Sequence, residues 1–99
     1  MGKVKIVWDV EARKSFRKQI SHIKKDSLQA AEKVRAEIFD ILKEIPSNPK
    51  KFPSDKFKAN NDGSFRAFEK HNLRIAYYIT ETQIRILRVR HVKQEPGKY

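Results

Sequence analysis

The side chains best suited to chemistry lie in the last third of the chain, where arginines alternate with apolar residues. This region contains Arg66, Arg74, Arg85, Arg88 and Arg90, followed by His91, Lys93 and Tyr99. A guanidinium group is a planar fork of donors that holds phosphate or carboxylate oxygens in pairs. Histidine is the side chain that ordinarily exchanges a proton near neutral pH, so it suits general acid or base catalysis. The region is therefore predicted to meet an acidic partner or substrate.

The composition gives little support to metal chemistry. The chain has no cysteine, which excludes disulfides and thiolate metal sites and favours a reducing compartment. A metal would need histidine and carboxylate ligands alone, and no motif indicates such a set, so we predict neither a metal nor a cofactor. No apolar run approaches the roughly 20 residues of a membrane span, and the N-terminus does not resemble a signal peptide. We therefore expect a cytoplasmic protein without a membrane partner.

The charge is strongly positive and concentrated at both ends of the chain. Of 99 residues, 23 are Lys or Arg and 12 are Asp or Glu, which gives a net charge of +11. Residues 1–26 hold eight basic residues against three acidic ones, residues 27–63 seven against six, and residues 64–99 eight against three. Nucleic acid, the ribosome, an acidic protein or an anionic lipid surface are all plausible partners for such a chain.

The N-terminal segment predicts a strand and a first helix. Lys3–Trp8 alternates apolar and basic residues, as expected of a half-buried strand with Trp8 in the core. Asp9 is placed to cap a helix that we expect to run to about Lys25. The apolar face of this helix is thin, and it consists of Phe16, Ile20 and Ile23.

A second helix is predicted to begin directly after the first. Asp26 and Gln29 have the spacing of a capping box, in which Asp26 caps the backbone of the new helix. The helix carries a sustained apolar stripe and ends where Pro46 cannot continue it. The stripe consists of Leu28, Ala31, Val34, Ile38, Ile41, Leu42 and Ile45. Because the turn is so short, the two helices are predicted to form an antiparallel hairpin.

The C-terminal half predicts a long connection and a meander of three strands. Residues 46–63 combine prolines with Asn, Asp and Ser, which is typical of an irregular surface segment. Three β-rich runs follow, Phe65–Lys70, Leu73–Thr80 and Ile84–His91, with gaps short enough for hairpins. The predicted order is β-α-α-β-β-β. We expect one α+β domain over residues 1–99, with the helical hairpin on one face of a small antiparallel sheet and a functional surface on the other.

The alternation of the last strand separates the candidate residues. Arg88 and Arg90 share one side of the strand, whereas His91 shares the other side with Arg85. Arg90 and His91 can face one cleft only if a bulge or the strand end lies between them, so any bulge in this strand is expected there.

The element order and two segments, FRAFEKHNLRIAYYI and IRILRVRHVKQEPGKY, resemble the RelE/ParE superfamily of toxins from bacterial type II toxin–antitoxin systems. The resemblance covers nearly the whole chain. Its most specific pieces are Phe65-Arg66, the strand from Asn72 to Tyr77, and the closing ILRVRH followed by Pro96 and Tyr99. It implies the RelE/ParE-like toxin fold and a growth-inhibiting toxin of the plasmid-stabilization type. Its partner would be a cognate antitoxin whose acidic or disordered segment wraps the toxin.

The superfamily has two branches that imply different roles for the same residues. RelE-like members are ribosome-dependent mRNA interferases, which cleave by metal-independent 2′-OH attack. The resemblance to this branch would make Arg74, His91 and Tyr99 the catalytic residues. ParE-like members inhibit DNA gyrase and need no catalytic residue. In either branch the candidates for binding phosphate or the target are Arg66, Arg74, Arg88, Arg90 and Lys93.

Two features favour the ParE-like branch. Phe68 stands where RelE-like enzymes carry a basic residue, and the helical hairpin is long. In this branch the hairpin and the basic C-terminal strand would be binding surfaces. The RelE-like nuclease stays open as an alternative, as does a non-toxic nucleic-acid-binding or regulatory relative. Arg74, Arg88 and Arg90 could also serve only to form surface ion pairs, with Glu69, Glu81 or acidic residues of the antitoxin.

Overall fold

The computed structural model describes residues 4–94 and 97–99, so Lys3 of the first predicted strand and Pro96 of the C-terminal motif lie outside the described residues. The elements are β1 (Lys5–Trp8), α1 (Val10–Asp26), α2 (Leu28–Glu44), a short 3₁₀ turn (Ile45–Ser47), β2 (Phe65–Lys70), β3 (Leu73–Ile79) and β4 (Gln83–His91). The predicted α+β class and β-α-α-β-β-β order are confirmed.

The four strands form one sheet in the order β1-β4-β3-β2. Strands β2, β3 and β4 form the predicted antiparallel meander. The β2–β3 turn has positive φ at both His71 (52°) and Asn72 (65°), as a two-residue hairpin loop of the primed kind requires.

The first strand makes the sheet mixed. Strand β1 runs parallel to β4, with Lys5 beside Gln83 and Trp8 beside Ile86, whereas an antiparallel sheet was expected. The helical hairpin leads away from β1 and back again, and the long connection then returns the chain along the sheet. Strand β2, and therefore β4, runs in the same direction as β1 for this reason.

The core lies between the helical hairpin and one face of the sheet. The helices contribute Ala12, Phe16, Val34, Ile38 and Leu42, and the strands contribute Phe68, Leu73, Ile75, Tyr77, Ile84, Ile86 and Val89. The rings of Phe16 and Phe39 lie 5.7 Å apart and sit about equally far from the turn, so the helices are antiparallel as predicted. Trp8 packs on both rings but is only half-buried, at the margin of the core. Leu28, the first residue of α2, is 55% exposed because it lies at the tip of the hairpin.

The connection between α2 and β2 is irregular, as predicted, and is fastened to the sheet at several points. The Tyr77 hydroxyl donates to the Pro49 carbonyl at 2.8 Å. The rings of Phe52 and Phe68 lie 4.9 Å apart. The backbone of the connection also pairs with β2, since the Asp55 N–H donates to the Phe65 carbonyl at 2.8 Å and the Ala67 N–H to the Pro53 carbonyl at 3.2 Å.

The turn between the helices is capped by a residue other than the one predicted. Ser27 Oγ accepts a hydrogen bond from the Ala30 N–H at 3.0 Å, while Asp26 is the last residue of α1. The Ser27 N–H donates to the Ile23 carbonyl at 3.0 Å, so one residue ends α1 and begins α2. Asp26 is wrong as the cap because its position still belongs to the preceding helix. Asp9 occupies the predicted cap position of α1 but makes no side-chain capping bond.

We predict that Ser27→Ala lowers the free energy of unfolding by about 1 kcal/mol, because the Ala30 N–H loses its acceptor. Urea denaturation at neutral pH measures the loss. Asp26→Asn is the matched control and should be neutral or slightly stabilising, since a carboxylate at a helix C-terminus opposes the dipole. Equal losses in both variants would show that Asp26 shares the capping role.

Candidate functional site

Cross-strand pairing gathers four arginines on the face of the sheet away from the helices. Directly opposed residues share a face. The relevant pairs are Arg74 with Arg90, Ala76 with Arg88, and Tyr78 with Arg85. We call Arg74, Arg85, Arg88 and Arg90 the arginine face.

A bulge in β4 determines which residues of that strand lie on the arginine face. The register shifts where Tyr77 pairs with Ile86 and Ala76 with Arg88, which leaves Leu87 as the extra residue. The expected bulge between Arg90 and His91 is wrong, because the pairing with β3 is regular there. The shift also turns Arg85 onto the side of Arg88, so the prediction that Arg85 shares a side with His91 is wrong.

A buried carboxylate lies against the arginine face. Asp55 comes from the α2–β2 connection and is 3% exposed. Its Oδ1 accepts from Arg74 Nη2 at 2.9 Å and from the Phe57 N–H at 3.0 Å, and its Oδ2 accepts from the Tyr99 hydroxyl at 2.7 Å. Arg74 also donates to Glu69 Oε2 at 2.9 Å. We call Asp55, Arg74 and Tyr99 the Asp55 cluster.

Arg74 is enclosed by these contacts. Its side chain is 15% exposed, and its guanidinium carbon lies 4.9 Å from the centre of the Phe57 ring. Two of its nitrogens are engaged by the carboxylates of Asp55 and Glu69. The bidentate fork that could hold a phosphate is therefore used inside the protein.

Tyr99 is docked on the same face by its backbone and by its ring. Its N–H donates to the Phe57 carbonyl at 2.9 Å. The Arg88 guanidinium lies 4.3 Å from the ring centre, and Arg88 Nη1 donates to the Gly97 carbonyl at 3.0 Å. Arg88 thus holds the C-terminal residues against the sheet.

Burial, hydrogen bonds and nearby charges determine the protonation states of the side chains in and around the Asp55 cluster. Burial alone would raise the pKa of Asp55, but the hydrogen bonds from Arg74, Tyr99 and the Phe57 N–H outweigh it and lower the pKa. Burial, followed by the hydrogen bond to Asp55 and the charge of that carboxylate, raises the pKa of Tyr99. Burial, followed by the charge of Arg90, lowers the pKa of Arg88. At neutral pH the Tyr99 proton is held by its bond to an ionised Asp55.

Arg66 serves the connection rather than the arginine face. It pairs with Tyr77, which places it on the helix side of the sheet. Its Nε donates to the Gly63 carbonyl at 3.0 Å and its Nη1 to the Phe52 carbonyl at 2.7 Å. Its guanidinium satisfies loop carbonyls that no strand partner covers.

His91 and Lys93 lie apart from the Asp55 cluster. His91 pairs with Leu73, so its side chain is on the helix side of the sheet, opposite to the face that carries Arg74. The exposed Lys93 follows in the turn after β4, and its N–H donates to His91 Nδ1 at 3.1 Å. Of the three predicted catalytic residues, the structure brings Arg74 and Tyr99 together through Asp55 and leaves His91 elsewhere.

The helical hairpin carries a large groove of its own. The groove has a volume of about 550 Å³. Its floor is apolar and consists of Trp8, Phe16, Ile20 and Phe39, and its rim is basic and consists of Arg13, Arg17, Lys24 and Arg35. We call this the aromatic groove.

The described residues offer neither a metal site nor a membrane span. Within residues 4–94 and 97–99, no three His, Asp or Glu side chains are grouped so that they could hold a metal ion. Over the same residues, neither helix is both long enough and apolar enough to cross a membrane.

Comparison with known proteins places this arrangement in a family. The family model described as the ParE toxin of the type II toxin–antitoxin system parDE matches residues 6–96. A solved structure titled as the chromosomal ParDE TA system from P. aeruginosa matches with a TM-score of 0.69 at 14% sequence identity, over 90% of this chain and 96% of that one. No curated protein gives a significant match.

The fold is thus that of a RelE/ParE-type toxin, in agreement with the resemblance found in the sequence. The chain belongs to the ParE toxin family of type II toxin–antitoxin systems, whose members are partnered by a cognate antitoxin.

The residue that sequence reasoning missed is Asp55. It lies in a loop rich in Pro, Asn, Asp and Ser, where an aspartate ordinarily faces solvent. The one feature of the sequence that pointed to Asp55 was its position between two phenylalanines, Phe52 and Phe57, in a chain where basic residues outnumber acidic ones. That signal indicates a buried loop, but it does not identify the partner of the carboxylate.

We predict that Asp55→Asn lowers the free energy of unfolding by about 3 kcal/mol at pH 7, because it removes the buried charged partner of a largely buried guanidinium and leaves it only the exposed Glu69. Since folding lowers the pKa of Asp55, its contribution is complete above the unfolded-state pKa of about 3.9 and is lost as the pH falls through the folded-state value. Urea denaturation from pH 7 to pH 2 should show the stabilities of wild type and variant converging in acid. A difference between them that does not change with pH would contradict the assignment. Asp40→Asn, at an exposed position of α2, is the control.

Proposed function

We propose that this toxin arrests growth by binding DNA gyrase and that it does not cleave RNA. The observation that carries the proposal is the internal use of Arg74 and Tyr99 by Asp55, together with the position of His91 on the other face of the sheet. The three residues that a RelE-like nuclease would need do not surround one point.

Cleavage by 2′-OH attack requires a base, an acid and cations arranged around one phosphorus atom. The Tyr99 hydroxyl donates its hydrogen bond to the Asp55 carboxylate, and its raised pKa leaves almost no tyrosinate to act as a base and makes the hydroxyl a weaker acid. Phe68, which stands where the nucleases carry a cation, is 5% exposed and packs in the core. Each difference favours a protein that acts through contact surfaces.

Within the part of the chain that the structure describes, the arginine face offers one cation that is not engaged internally. Arg74 pairs with Asp55, Arg85 Nε donates to Asp9 Oδ1 at 2.6 Å, and Arg88 stacks on Tyr99. Among the residues that the structure describes, Arg90 has no acidic partner within 4.0 Å. We infer that Arg90, with the exposed Lys93 beyond it, contributes to target binding. Arg66 and Arg88 would act indirectly, through the segments that they hold.

The target can be tested with purified protein in two assays. We expect the toxin to block supercoiling by gyrase and to leave mRNA intact in a translating extract. Tyr99→Phe keeps the ring and removes only the hydroxyl. It should lower the free energy of unfolding by about 1 kcal/mol while preserving inhibition of supercoiling at a temperature where the variant stays folded.

Cleavage of mRNA that Tyr99→Phe abolishes would instead establish the RelE-like nuclease. Absence of both activities, with no growth arrest on expression, would leave the non-toxic nucleic-acid-binding relative as the better interpretation.

Neutralisation by the antitoxin is the second part of the proposal, and the aromatic groove is its best-supported site. An apolar floor with a basic rim is complementary to an amphipathic helix that carries acidic residues beside its apolar stripe. Arg35 also lies 5.0 Å from the centre of the Phe39 ring, so rim and floor form one surface. The occupant that fits this chemistry is an acidic antitoxin segment.

We predict that the double variant Arg17→Glu/Arg35→Glu binds the cognate antitoxin at least tenfold more weakly at low salt, because two attractive rim contacts become repulsive. Isothermal titration calorimetry with the product of the adjacent antitoxin gene measures the change. Lys33→Glu/Lys43→Glu makes the same change in net charge on exposed positions of α2 outside the groove. Equal weakening in both double variants would show a general charge effect and would remove the groove from the interface.

A further inference from the structure

A second concave surface lies on the other side of α1 from the centre of the aromatic groove. Its volume is about 400 Å³. It is lined by Lys18, Gln19, His22 and Lys25 from α1 and by His91 and Gln94 at the end of β4. Within residues 4–94 and 97–99, the lining, which also includes Ser21, is polar and contains no acidic residue, although the chain has 12 Asp and Glu residues. We call it the basic cleft.

The two side chains from the end of β4 have their acceptor atoms occupied by backbone N–H groups. His91 Nδ1 accepts from the Lys93 N–H at 3.1 Å, so a neutral ring carries its proton on Nε2. Gln94 Oε1 accepts from the His91 N–H at 3.1 Å, which leaves the amide NH₂ free to donate. A neutral histidine and a glutamine can each accept or donate a hydrogen bond. In His91 and Gln94 the acceptor atom is already occupied by a backbone N–H. The cleft therefore offers donors and cations, which is the chemistry of an anion site.

The spacing of the basic side chains along α1 favours the binding of an extended anion over the binding of a single carboxylate. Lys18, His22 and Lys25 follow each other at i, i+4 and i+7, so they form one stripe along α1. At a rise of 1.5 Å per residue the stripe is about 10 Å long. One strand of duplex DNA carries a phosphate about every 3.4 Å along the axis, so the stripe can face two or three of them. Among the described residues, no aromatic or aliphatic side chain lines the cleft to anchor a peptide partner, whereas Trp8, Phe16, Ile20 and Phe39 line the aromatic groove.

We propose that the basic cleft binds the phosphodiester backbone of duplex DNA without sequence preference. The cleft makes its contacts with Lys18, Lys25 and the His91 and Gln94 donors, which are groups that position a protein on a duplex without contacting base edges. The choice of DNA rests on the proposed function, since gyrase acts on a DNA segment that a bound toxin would lie beside. The toxin would then hold gyrase and its DNA together.

The test is fluorescence anisotropy with a short labelled duplex, the full-length toxin and no gyrase. Wild type should bind with a dissociation constant of about 1–100 µM at physiological salt. Lys18→Gln/Lys25→Gln should weaken binding on the order of tenfold or more at 0.1 M salt and reduce the slope of log affinity against log salt by about 1.8. Lys33→Gln/Lys43→Gln, with the same change in net charge, should stay within about threefold of wild type. All four lysines are exposed, and circular dichroism checks that each variant is folded.

Three outcomes would overturn the proposal. They are equal weakening by both double variants, absence of DNA binding by the wild type, and tighter binding of a polyglutamate peptide or of duplex RNA than of DNA at the cleft. His91→Leu removes one donor and His91→Gln retains one, so only the first should weaken binding. Supercoiling inhibition is measured separately, so a toxin that inhibits gyrase but does not bind DNA refutes the cleft alone. A toxin that binds DNA but does not inhibit gyrase refutes the proposed function alone.

Discussion

The bond between the Asp55 carboxylate and the Arg74 guanidinium is the interaction on which the functional half of the molecule depends. The arginine face places Arg74 directly opposite Arg90, in a chain with a net charge of +11. These two guanidinium groups would repel each other without a carboxylate beside them. Asp55 supplies that charge and also accepts the Tyr99 hydroxyl. One buried group thereby fixes the α2–β2 connection, strand β3 and the C-terminal residues relative to one another.

This arrangement divides the cations of the protein into two groups. Arg66 and Arg74 donate to acceptors inside the fold, where their cost of burial is offset, and the half-exposed Arg85 pairs with Asp9. The second group consists of Arg90, which has no acidic partner within 4.0 Å among the described residues, and the exposed Lys18, Lys24 and Lys25 of α1. A large positive net charge therefore does not imply that many basic side chains are gathered in one catalytic site. The cations that remain available are spread over surfaces, which suits a toxin that acts by binding.

Local pattern was enough to predict the element order, because periodicity and turn chemistry are set by neighbouring residues. The His71-Asn72 hairpin and the end of α2 before Pro46 are of this kind. The direction of β1, the bulge at Leu87 and the burial of Asp55 depend on distant parts of the chain. Asp55 meets Arg74 and Tyr99, which are 19 and 44 residues away, and no local signal distinguishes it from a solvent-facing loop aspartate. The family resemblance supplied the fold, but it pointed to Arg74 as a phosphate ligand, whereas its contacts here are internal.

The two proposed binding surfaces share helix α1, and this sharing links them electrostatically. Arg17 on the rim of the aromatic groove is adjacent in sequence to Lys18 of the basic cleft, and the two side chains are separated by about 100° around the helix. The screening length at physiological ionic strength is about 8 Å, which is comparable to the width of a helix. Acidic residues of an antitoxin seated in the groove would therefore lower the positive potential of the cleft without covering it. In this proposal the antitoxin weakens the hold on DNA through charge, and neutralisation does not require the two ligands to overlap.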